Sequence, residues 1–160
     1  MDGISLLEKE IRAHPYLKIE DHQVVHNTCN ALRISEDPGL INEYFRGQIE
    51  AEASMIYLVG RYSSLVTRLK DKLNERRAGK AFELGSRDDE GLKWSKQDKE
   101  QWILATDPKY ATQLDMLHDM EALLKLMYGL RDVVFGRDRK LEQLSINYRR
   151  EMEADKRTGY

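Results

Sequence analysis

Apolar residues return every three or four positions along most of this chain, with polar and charged residues between them. That period puts them on one side of an α-helix. Ile4, Leu7 and Ile11 predict a first short helix over about 4–13, stopped by Pro15. Val24, Val25, Thr28 and Leu32 predict a second over about 20–32, with those residues facing inward. Asp37-Pro38 then reads as a helix start, because Asp caps free N–H groups and Pro fits the first helical position.

From Gly39 to about Arg77 the steps of four and three give Ile41, Phe45, Gln48, Glu52, Met55, Val59, Tyr62, Val66, Leu69 and Leu73. Only Gln48 and Glu52 break this coiled-coil-like stripe. Gly47 and Gly60 each weaken a helix interior by about 1 kcal/mol relative to Ala, so close packing or a bend is expected there. Residues 78–93 hold three glycines and no sustained period, and predict a loop. A short helix follows near Ser95, which stands at capping-box spacing from Asp98. Asp107-Pro108 repeats the start signal. The last helix runs to about 154 on a seam of Met116, Met120, Leu123, Met127, Leu130, Val134, Arg137, Leu141, Leu144 and Tyr148, apolar or aromatic at every position but Arg137.

These elements predict one all-α domain over 1–160: short helices in 1–35, a long helix over 38–77, a loop and short helix over 78–107, and a long helix over 108–155. Two stripes of that length bury each other most economically as an antiparallel hairpin. Little bulk surrounds such a hairpin, so leftover apolar faces predict a closed homo-oligomer.

The chain has 160 residues, 34% of them charged and 41% hydrophobic, which suits one domain of amphipathic helices with wet outer faces. No apolar run approaches the ~18 residues of a membrane helix, and MDGISLLEKE carries no secretory pattern. The single Cys29 excludes an intramolecular disulfide framework and fits a reducing, cytoplasmic setting.

Candidate chemistry is sparse. His22, His26 and Cys29 recur at i, i+4 and i+7, a spacing that turns metal ligands to one helix face, but no fourth ligand is evident. The simpler reading is a half-buried face with Cys29 as a small apolar residue. Asp115 and His118 read as part of a salt-bridging surface. No phosphate loop, nucleophile elbow or Cys–His arrangement is present, so no catalytic residues, cofactor or metal are assigned. Charge is more informative. Arg61, Arg68, Lys70, Lys72, Arg76, Arg77 and Lys80 are opposed within 61–80 only by Asp71 and Glu75. Such a zone neutralises phosphates, and an oligomer multiplies it. On charge alone, a solvated helix face with favourable charges at its C-terminal end is the preferred explanation. Tyr62 belongs to the seam. A second group at Arg131, Arg137, Arg139 and Lys140 is diluted by Asp132, Asp138 and Glu142 and reads as an ion-pair network.

The order of these features resembles the bacteriophage recombination mediators of the UvsY type. It is carried by Leu6-Leu7, Glu10-Ile11 and Ile19 at the start, and by the charged stretch from Leu65 to Arg68-Leu69 and on to Arg76-Arg77-Ala78-Gly79. Trp94-Ser95-Lys96 and Asp98, Leu104 and Asp107, and a last helix with Leu114, Leu117, Leu123, Leu124 and Arg137 complete it. Arg68 matches that family's arginine, whereas Val66 stands where it carries lysine, and Arg76 and Arg77 stand near its tyrosines. The resemblance implies a ring-like homo-oligomer without nucleotide hydrolysis, binding single-stranded DNA by charge and acting with a recombinase and a single-strand DNA-binding protein. The rival expectation is a structural or scaffold hairpin working through protein–protein contacts, favoured by the near-neutral net charge of −2.

Overall fold

The computed structural model describes residues 3–33, 40–85 and 93–158, and every element among them is a helix: α1 Gly3–Ala13, α2 Ile19–Ala31, α3 Ile41–Leu84, α4 Lys96–Thr106 and α5 Pro108–Thr158. Two of these are the long helices expected, and none is long and apolar enough to cross a membrane. The Asp37-Pro38 start lies outside the described residues. The chain divides into two compact units, 1–60 with 123–160, and 61–122, and the division falls inside both long helices.

In the first unit α1 packs on α2. Ile11, Val25, Thr28, Cys29 and Leu32 are buried as their spacing requires, while Val24 is only half-buried. Glu20 and Asp21 stand in the first turn of α2, where carboxylates suit the helix dipole. α3 buries Gln48 and Met55 from the expected stripe, and Ala51 and Leu58 beside it. The apolar face is therefore broader than a two-column seam. The polar break has a definite use: Gln48 Nε2 donates to the Val134 carbonyl of α5 at 2.8 Å and to Glu52 at 2.6 Å. The expected close packing exists at Gly47, where an added Cβ would lie 3.6 Å from that of Ala31. It does not exist at Gly60, whose Cβ position is open because an unfilled groove lies beside it. On α5, Leu123, Met127, Leu130, Val134, Arg137 and Leu141 are all buried. Arg137 has no ion-pair partner among the described residues, so it is not part of the expected network. Its Nη1 donates to the carbonyl of Ala31 at the end of α2, and Nε and Nη2 have no acceptor.

In the second unit Tyr62, Val66, Leu69 and Leu73 of α3 are buried, as are Ile103 of α4 and Tyr110, Leu117 and Met120 of α5. A fully buried Leu or Ile contributes about 1.5–3 kcal/mol, so this stripe alone anchors the segment. The expected loop from 78 is displaced, since α3 continues through Gly79 to Leu84. The stop signal is Gly85, at φ +80°. That left-handed conformation costs Gly nothing and ends many helices. α4 begins with the Ser95–Asp98 capping box, both of its bonds formed. Asp107 Oδ1 accepts from the Tyr110 N–H at 3.2 Å and caps α5, with Pro108 in its first turn.

Candidate nucleic-acid interface

All seven basic candidates lie on the helical stretch 61–80 of α3, within the second unit. The stretch is helical because Leu69 and Leu73 keep the inward period and the exposed positions are filled by Lys, Arg and Glu, good helix formers.

Four of these cations meet carboxylates of the same unit. Arg76 makes a side-on, two-nitrogen contact with Asp107, with Nη2 2.8 Å from Oδ1 and Nε on Oδ2. The Arg76 hydrogen bond, acting against burial, holds the Asp107 carboxyl below the usual range, and the same bond raises the Arg76 guanidinium. Asp107 is buried, so this pair binds the end of α3 to the start of α5. Arg77 pairs with Glu100 of α4 at 2.6 Å, and Glu100 accepts from the Tyr110 hydroxyl at 2.6 Å. Burial, with Glu100 beside it, pushes the Tyr110 hydroxyl up to about 12. Lys70 meets Glu121 of α5 at 2.6 Å and Lys80 meets Glu83 on its own helix at 2.6 Å. Arg61 also has an interaction within the chain. Arg68 and Lys72 are exposed and make no ion pair among the described residues.

The seven are therefore not equivalent. The Lys70–Glu121 pair is half exposed on both sides (50% and 40%), and such pairs contribute little and exchange partners readily. The Arg76–Asp107 contact, its carboxylate 4% exposed, is held as part of the fold. Sequence reasoning overlooked Phe82, which is helical and 88% exposed. Reading 78–93 as loop hid it, although continuing the steps of four and three from Arg68 through Lys72, Glu75 and Gly79 arrives at it.

The histidine–cysteine set is occupied in another way. Glu8 of α1 is buried and accepts from His26 Nδ1 at 2.7 Å and from Arg12 at 3.2 Å. His26 Nε2 is then left to accept from Asn30 at 2.9 Å, so both ring nitrogens are engaged. Burial pushes the Cys29 thiol up to about 12, away from the thiolate that binds metals. His22 lines a small surface pocket with Ser5, Lys9 and Arg12. Among the described residues no three His, Cys, Asp or Glu side chains are placed to hold a metal ion.

No protein-family model matches the chain, and no curated protein or solved structure is significantly similar to it.

Proposed function

We propose that this protein is a non-enzymatic, self-associating, single-stranded DNA-binding recombination mediator that helps load a recombinase onto DNA. Its further partner is a single-strand DNA-binding protein. The observation that carries the reading is the pair Arg68 and Lys72. They stand one turn apart on one exposed face of α3, with no carboxylate engaging them among the described residues. Phosphates supply counter-charge to them, and association releases the cations condensed on DNA. Lys70, Arg77, Lys80 and Arg61 join by exchanging their present contacts, while Arg76 stays with Asp107. The chain is an antiparallel hairpin in this reading. Within the unit over 61–122, Lys70 with Glu121 and Arg76 with Asp107 support it, since the partners beyond α3 fall in number as the α3 residues rise.

A second reading is a scaffold that works through protein contacts alone. It is favoured by the charge of the unit over 61–122, which has as many acidic as basic side chains. Fluorescence anisotropy with a labelled single-stranded oligonucleotide at low and moderate salt separates the two. The mediator reading expects affinity that falls steeply with salt, and a slope reduced by roughly one to two in Arg68→Ala/Lys72→Ala. Wild-type protein that shows no salt-dependent affinity leaves the scaffold reading standing.

A further inference from the structure

We propose that Phe82 is a base-stacking residue that gives the Arg68–Lys72 face its preference for unpaired over duplex DNA. The inference rests on the DNA-binding reading above and names the part of the ligand recognised, the flat face of an unpaired base.

Isolated exposed apolar side chains are ordinary on protein surfaces, so the exposure of Phe82 gains meaning only from its neighbours. Arg68, Lys72, Glu75, Gly79 and Phe82 follow one another at four- and three-residue steps and so share one face of α3. The buried stripe of Tyr62, Val66, Leu69 and Leu73 occupies a different face of the same helix. Phe82 is 88% exposed and therefore buries almost nothing against the unit that carries it.

Between the cations and the phenyl ring lies Gly79, in the helix interior, with no atom within 4 Å of where its Cβ would stand. Packing among the described residues thus gives no reason for glycine there. Its effect is a bare strip of backbone one turn before Phe82, over which a flat base or a sugar passes without a side chain in the way. Lys72 and Phe82 are separated by roughly 15 Å along the helix, a span of a few nucleotides of extended single strand. Glu75 is the carboxylate on this face. It disfavours phosphate at the middle of the stripe and so favours phosphates at the Arg68–Lys72 end with bases toward Phe82. A phenyl ring carries no charge and so adds nothing to the phosphate attraction that binds a duplex, whose stacked bases present no ready face. On an unpaired strand it stacks, without regard to base identity.

The test compares full-length wild type, Phe82→Ala and Phe82→Trp for binding to a labelled oligo(dT) and to a duplex of equal length, across a salt series. In Phe82→Ala, single-strand affinity is expected to fall roughly tenfold. Duplex affinity and both salt slopes should stay unchanged, because no cation is removed. Phe82→Trp is expected to keep the wild-type ratio and to show tryptophan quenching on oligo(dT) beyond that from Trp94 and Trp102 in wild type. An unchanged single-strand to duplex ratio in Phe82→Ala overturns the stacking role and leaves the electrostatic reading in place. Loss of the preference in Phe82→Trp also overturns it, since a larger aromatic ring should restore stacking. Absence of DNA binding by wild type at low salt overturns both the stacking role and the function on which it rests.

Discussion

Glu8 shows how much a single polar residue on an apolar face can hold. It stands on the side of α1 that packs on α2, is buried, and takes hydrogen bonds from His26 and Arg12, with Arg33 at 4.0 Å. Burial works to raise its carboxyl, but the His26 and Arg12 contacts outweigh it and the net position is lowered. A carboxyl lowered on folding contributes stability that is present above its unfolded value, about pH 4, and is lost as pH falls through the folded value. Glu8→Gln should therefore cost about 1.5 kcal/mol at neutral pH, the loss of charge-assisted bonds, and much less near pH 3. Urea unfolding at both pH values checks this, and an equal penalty at both would remove the charge from the explanation. Arg137 presents the opposite balance. Burial lowers its guanidinium, no carboxylate meets it among the described residues, and two of its nitrogens lack acceptors. Its return is one bond to the Ala31 carbonyl, where a cation suits the C-terminal end of α2. Arg137→Met fits the seam position and is expected to leave stability unchanged or raise it by about 1 kcal/mol. A marked loss in chemical denaturation would mean that the Ala31 contact outweighs the desolvation of the charge.

At the scale of elements, the seams were legible because their period is redundant: one polar residue among many apolar ones does not erase a helical stripe. Asp107-Pro108 and the Ser95–Asp98 box were legible because a cap needs only local residues. The end of α3 was not, because Gly79 and Gly85 look alike in sequence, and only the backbone separates a helical glycine from one at φ +80°. The ion pairs of Arg76 and Arg77 were equally hidden. Asp107 and Glu100 lie far along the chain, and nothing local joins them to α3. The two glycines make the distinction testable. Gly79→Ala should stabilise by roughly 0.5–1 kcal/mol, since Ala is the better helix former and its Cβ meets nothing. Gly85→Ala should destabilise by about 1 kcal/mol, because a Cβ strains the left-handed conformation. Thermal melts followed by circular dichroism read both, and the same sign for the two substitutions would contradict a helix that runs through Gly79 and stops at Gly85.

For the whole molecule the exposed apolar surface among the described residues points to the face through which the proposed self-association would run. In the first unit Ile56, Val59 and Gly60 of α3 and Arg131, Asp132 and Phe135 of α5 line a groove. Ile49, one heptad before Ile56, is 68% exposed, Ile56 is 63% exposed and Phe135 43%. Large Ile49 and Ile56 alternate on this stripe with small Ala53 and Gly60, a spacing of knobs and hollows that a second copy would complement. Arg131 and Asp132, paired at 3.0 Å within one chain, place both signs at the rim, so that a second copy docked by a two-fold axis would present the opposite sign to each. If the proposed function holds, self-association through this face would let several weak phosphate sites act as one strong one. Ile56→Asp/Phe135→Asp should therefore hold the protein at monomer mass in light scattering at concentrations where wild type is larger. Both side chains are substantially exposed, so far-ultraviolet circular dichroism should stay close to wild type. The variant should also bind oligo(dT) at least tenfold more weakly while each chain keeps Arg68, Lys72 and Phe82. Unchanged mass would move the interface elsewhere, and unchanged DNA affinity in a monomeric variant would show that one copy of the face suffices.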